Sequence, residues 1–114
     1  MSGITTHVLD TARGKPAVDV AIRLEFLAEG ASHEAREIAR GATDADGRLR
    51  TLTGATIEAG TYRLVFEVRA YLERVGAPVF FPEVAIVFVV TAPLEHFHVP
   101  LLLSPFGYST YRGS

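Results

Sequence analysis

The chain has 114 residues, 48% hydrophobic and 21% charged, the balance of one ordinary globular domain (read as 1–114) that buries roughly two-thirds of its unfolded surface. A net charge of −2, with the basic residues scattered from Arg13 to Arg112, excludes the basic stripe that nucleic-acid binding requires. No cysteine is present, which excludes disulfides and thiolate metal sites, and the longest strongly apolar run, Val84 to Thr91, is too short to span a bilayer.

Met1-Ser2-Gly3 leads into patterned sequence without the charged segment and apolar core of a signal peptide, so the expected location is cytoplasmic, with no membrane partner. Ile4 to Asp10 reads as a short strand, with His7 on a face shared with Leu9. Thr11 to Pro16 is a loop by its Gly and Pro. Val18 to Leu27 has the clearest period of two: Val20, Ile22, Leu24 and Phe26 line one face, and Ala21, Arg23, Glu25 and Leu27 the other. Glu34 to Thr43 favours helix by propensity, yet Ile38 stands almost alone and no apolar stripe would hold such a helix, so an exposed strand is expected.

Asp44-Ala45-Asp46-Gly47 is a tight turn that delivers Arg48 and Leu49; the twelve-residue ligand pattern of a calcium loop is absent. Thr61 to Val68 alternates again, with Tyr62, Leu64, Phe66 and Val68 on one face. Arg69 to Val75 reads as one or two helical turns ending at Gly76. Glu83 to Thr91, rich in Val, Ile and Phe, suits a central strand, which Ala92-Pro93 breaks. His96 to Leu103 and Tyr108 to Arg112 form a closing hairpin around Ser104-Pro105-Phe106-Gly107. Seven or eight short strands and one short helix describe an all-β antiparallel sandwich.

His96 and His98 are two residues apart and project from one strand face, while Phe97 and Val99 point into a core. Pro100 donates no ladder hydrogen bond, which places that strand at an edge or bends it there, and an edge strand bearing histidines could sit against a second subunit. Zinc is the sharp alternative, since His7, His96 and His98 could supply three nitrogens, but no Cys or well-placed carboxylate completes such a set. His33 lies in a polar loop and reads as solvated. Arg48 offers a planar fork to an anionic or carbonyl-rich ligand. Ser109 and Ser114 lack the Gly-x-Ser-x-Gly elbow of a serine hydrolase. Composition and spacing thus give a β-domain with a candidate histidine site and no reaction.

Four motifs in order add to this. Thr5-Thr6-His7-Val8-Leu9-Asp10 with Gly14-Lys15-Pro16-Ala17, Thr43 to Arg48, Phe80-Phe81-Pro82-Glu83, and the run from His96 through Ser104-Pro105 to Ser109-Thr110-Tyr111-Arg112-Gly113-Ser114 span nearly the whole chain. Together they resemble the 5-hydroxyisourate hydrolases, the transthyretin-related enzymes of urate breakdown. The resemblance implies a transthyretin-like sandwich, a homotetramer with active sites between subunits, 5-hydroxyisourate as substrate, and no metal or organic cofactor. It implies His7, Arg48, His98 and Ser114 as active-site residues. It further implies that Tyr111, Arg112 and His96 join His7 and Arg48 in lining the substrate pocket. The expected chemistry has His98, assisted by His7, activating water, Arg48 stabilising negative charge, and Ser114 orienting water or substrate. The rival is a transthyretin-type carrier of a small ligand without catalysis.

Overall fold

The computed structural model describes residues 3–27, 35–53, 57–91 and 95–113. The loop expected at His33, the break at Ala92-Pro93 and the site residue Ser114 lie outside the described residues. Among the described residues nine strands and one helix follow in order: β1 (Gly3–Asp10), β2 (Lys15–Pro16), β3 (Ala21–Leu27), β4 (Ala35–Ala42), β5 (Arg48–Leu49), β6 (Gly60–Glu67), α1 (Arg69–Arg74), β7 (Val84–Val90), β8 (His96–Ser104) and β9 (Gly107–Thr110). One sheet runs β2-β1-β8-β9, with β5 also paired to β1; the other runs β4-β3-β6-β7. The expected antiparallel sandwich therefore holds, with one exception: β1 and β8 are parallel, in register from Gly3 beside His96 to Asp10 beside Leu103.

The core sits between the sheets, and the period-two pattern explains which residues reach it. Ile4, Val8, Phe97, Leu101 and Leu103 face inward from the first sheet, and Ile22, Leu24, Tyr62, Leu64, Phe66, Val84 and Val90 from the second. Each fully buried large apolar side chain contributes about 1.5–3 kcal/mol relative to exposure. The helix is tied to the end of β1 by a hydrogen bond of 2.6 Å from the buried Tyr71 hydroxyl to Asp10 Oδ2.

Four expectations change. First, the Glu83–Thr91 segment is an edge strand, not a central one: among the described residues β7 pairs only with β6, and Val87 and Val89 are 57% and 59% exposed. A run of Val, Ile and Phe reports a need for cover, not which element supplies it. Second, β8 is no edge strand, because it lies between β1 and β9; Pro100 stands beside His7 of β1 and one residue before the β9 pairing begins. Third, β3 starts at Ala21 and not at Val18, since Asp19 has a left-handed φ of 60° that interrupts an extended path. Its alternation also fails after Leu24, where the pairing with β4 skips Ile38: Leu27 is buried and Phe26 only half-buried. Fourth, Lys15–Pro16 in the expected loop makes a two-residue ladder with Leu9 and Asp10. The exposed strand expected near Glu34 to Thr43 is present as β4.

Candidate active site

Register gathers the polar side chains on the outer face of the first sheet. Thr5 and His7 lie two residues apart on β1, so both project from one face. The parallel pairing sets Thr5 beside His98, and the antiparallel pairing with β5 sets Arg48 opposite His7. Residues opposite one another on adjacent strands share a face. Arg48, His7, Thr5, His98 and His96 are thereby brought together, while Ile4, Thr6, Val8, Phe97 and Val99 of the same strands are buried on the other side.

The Asp44–Gly47 turn holds one end of this row. Asp44 Oδ1 accepts hydrogen bonds from the backbone N–H groups of Asp46 (2.9 Å) and Arg48 (3.0 Å). These bonds, that from Arg48 foremost, hold the Asp44 carboxyl below its ordinary pKa. Gly47 has φ 76°, and its carbonyl accepts from Val8 N at 2.7 Å, which fixes the turn against β1. The turn then presents the Asp46 carbonyl to His7 Nε2 at 2.9 Å. A carbonyl only accepts, so His7 carries its proton on Nε2 and leaves Nδ1 with the lone pair.

At the other end, the Thr5 hydroxyl lies 2.8 Å from His98 Nδ1 and 3.1 Å from His96 Nε2. The two imidazoles are nearly parallel, with centroids 6.2 Å apart. Gly113 closes over His98: its N–H donates to the His98 carbonyl at 2.7 Å, and a Cβ there would stand 2.6 Å from His98 Cδ2. Only glycine fits against that ring.

Arg112 Nη2 donates to the His96 carbonyl at 3.5 Å, but neither Arg112 nor Tyr111 is hydrogen-bonded to an imidazole among the described residues. The Arg112 guanidinium stacks over the Phe97 ring at 4.4 Å and reaches Glu95 at 2.8 Å. With Tyr111 it borders a groove of about 240 Å³ that is also lined by Phe97, Val99, Val87 and Val89. Among the described residues no three potential metal ligands converge. Sequence reasoning gave Thr5, the Asp46 carbonyl and Gly113 no role of their own. Only strand register, which no local pattern encodes, could have joined Thr5 to residues more than ninety positions away.

Burial pushes the His98 pKa below its ordinary 6.5, and charge repulsion from the neighbouring basic groups of His96, Arg48 and His7 pushes the same way, against a smaller opposing effect of the Thr5 backbone as a hydrogen-bond partner. The sign for stability follows. As pH falls below about 6.5 the unfolded chain takes up a proton at this position before the folded one does, so stability falls on acidification through that window. Urea unfolding between about pH 7.5 and 5.5 should show a falling midpoint, with a shallower slope in His98→Asn; equal slopes would mean that His98 contributes nothing to it.

The sequence model of the HIUase/Transthyretin family matches residues 4–113. The chain belongs to that family. Among its relatives in the family is the 5-hydroxyisourate hydrolase of Caulobacter vibrioides, 45% identical over 118 aligned positions that cover all of both chains. The solved 5-hydroxyisourate hydrolase of Klebsiella pneumoniae superposes with a TM-score of 0.85 at 39% identity, again covering all of both chains. Transthyretin from Sparus aurata superposes with a TM-score of 0.90 at 30% identity, covering 99% of this chain and 97% of its own. The backbone is thus common to hydrolase and transthyretin members of the family, and the side chains must carry any distinction.

Proposed function

We propose that this chain, as a single domain, hydrolyses 5-hydroxyisourate to 2-oxo-4-hydroxy-4-carboxy-5-ureidoimidazoline in urate breakdown. The observation that carries this reading is the convergence of His7, Arg48 and His98 on one sheet face, in a chain similar over its full length to a 5-hydroxyisourate hydrolase. Opening the ring at an acyl C–N bond needs three things: a base for water, a charge to stabilise the oxyanion, and a proton for the leaving nitrogen. An imidazole serves the proton transfers near neutral pH, and a second can donate a hydrogen bond to the oxyanion. Arg48 supplies a permanent positive charge beside them and a planar fork for the substrate's oxygens. Ser114 completes the catalytic set on sequence grounds alone, orienting water or substrate. This chemistry needs no metal or organic cofactor. For Arg112 the better role is anchorage: its contacts with Phe97 and Glu95 hold the segment that carries Gly113 over His98.

The assembly we propose is a homotetramer, with each active site formed where the outer faces of two first sheets meet. Support comes from apolar surface a lone chain leaves in water: Val87 and Val89 on the β7 edge, and Phe80, Phe106 and Tyr108 in one aromatic cluster. The carrier reading is weaker, because an arginine, three histidines and a threonine on that face suit a small polar heterocycle better than a hydrophobic ligand.

The test is the ultraviolet decay of 5-hydroxyisourate generated in place by urate oxidase. Decay faster than the spontaneous rate, proportional to added protein, is expected. Decay at the spontaneous rate from folded protein would end the hydrolase reading.

A further inference from the structure

We infer that Thr5 is a positioning residue that sets the tautomer of His98: its hydroxyl donates to Nδ1, so that His98 presents Nε2–H as a hydrogen-bond donor and proton abstraction falls to His7. The inference rests on the hydrolase reading for its chemistry, but the tautomer itself stands on contacts in the free protein.

The Thr5 hydroxyl has one proton and touches two imidazoles, His98 Nδ1 at 2.8 Å and His96 Nε2 at 3.1 Å. Thr5 is buried, with no third partner for that hydroxyl among the described residues. If both rings donated to it, its own proton would lack an acceptor. The three groups therefore form a chain that runs in one of two directions. Where His98 donates to Thr5 and Thr5 to His96, a neutral His96 must carry its proton on Nδ1. That atom is buried and has no partner among the described residues, which would make it an orphaned donor, the rarer and less tolerable defect. A doubly protonated His96 has the same fault. In the reverse direction His96 Nε2–H donates to Thr5, Thr5 donates to His98 Nδ1, and only a bare lone pair is left buried on His96. His98 Nε2 then bears the proton, and it has no partner among the described residues.

His7 is fixed in the opposite sense. Its Nε2–H is engaged by the Asp46 carbonyl, and Nδ1 is left basic. The step can then be written in balance. Water attacks the acyl carbon, forming a C–O bond, while its proton passes to His7 Nδ1. The oxyanion accepts hydrogen bonds from His98 Nε2–H and Arg48. The C–N bond breaks, and the proton on His7 Nδ1 goes to the departing nitrogen. This assignment reverses the sequence expectation that His98 activates water.

The experiment is long-range 1H–15N correlation spectroscopy of the full chain labelled with [15N]histidine, at about pH 7.5, where His98 is neutral. The expected result is a pyridine-type Nδ1 and a pyrrole-type Nε2 for His98. Thr5→Val should mix the two tautomers and lower kcat about tenfold at nearly constant KM, the equivalent of one neutral hydrogen bond. Thr5→Ser, which keeps the hydroxyl, should restore both signatures. A pyridine-type Nε2 in the unaltered protein would overturn the inference whatever the variants do, and would mean that a Thr5 oxygen, hydroxyl or carbonyl, accepts from Nδ1. The tautomer is read without substrate, so absence of turnover would count against the hydrolase reading instead.

Discussion

Replacing His98 by asparagine is expected to lower kcat by about 10²–10³-fold, the loss typical of removing one donor from an oxyanion site, with the fold intact. The two substitutions at His98 differ in which nitrogen is lost. An asparagine amide reaches about as far as Nδ1, so it can still meet the Thr5 hydroxyl, 2.8 Å from Nδ1 in the native ring. It places nothing at the position of Nε2. Glutamine reaches further and offers an N–H near that point, so His98→Gln should recover part of the loss. At His7 the outcome should differ. His7→Gln keeps an N–H that can donate to the Asp46 carbonyl, whose native bond is 2.9 Å. An amide takes no proton from water, however, so about 10²–10⁴-fold should be lost with no recovery between Asn and Gln. Steady-state decay of 5-hydroxyisourate, beside a urea titration of each variant, distinguishes these outcomes. Near-normal turnover in His98→Asn would remove His98 from the mechanism. Equal deficits in its Asn and Gln variants would favour a base over a donor.

Much of this site was legible in the sequence because strand periodicity is local. The spacing of His96 and His98 places both rings on one face and buries Phe97 and Val99 on the other, whatever the rest of the fold does. The Asp44–Gly47 turn and the strand containing His7 are local in the same way. What the sequence withheld are relations between strands. Nothing near Thr5 shows that β1 runs parallel to β8, yet that register alone makes Thr5 the bridge between two histidines. The edge position of β7 was hidden for a related reason: its Val, Ile and Phe content signals burial, but the element that would cover Val87 and Val89 is not another strand of the same sheet. The family motifs singled out His7, Arg48 and His98, which strand register sets on one face of the first sheet. They did not say which nitrogen of each imidazole is engaged, because that depends on the Asp46 carbonyl and the Thr5 hydroxyl across strand boundaries.

Gly47→Ala is the substitution at which fold and chemistry should fail together. With φ at 76°, an alanine would occupy the left-handed region, at about 1–2 kcal/mol. Its Cβ would also lie 2.5 Å from the Val8 carbonyl oxygen and 3.0 Å from Pro16 Cβ, so backbone must move rather than a flexible side-chain tip. Together these should destabilise the protein by about 2–4 kcal/mol, a large share of the usual 5–15 kcal/mol. The displaced segment carries the Asp46 carbonyl that fixes His7 and leads directly into Arg48. A shift near 1 Å at such groups can cost about 10²-fold in rate. Gly14→Ala is the control, because Gly14 also has a positive φ, 67°, but its Cβ would meet nothing within 4 Å. That variant should lose only the conformational part of the stability and keep its kcat. If urea unfolding and turnover rank the two variants equally, neither the clash with Val8 nor the tether on His7 matters. If only Gly47→Ala loses both stability and rate, the turn is what holds the base in place.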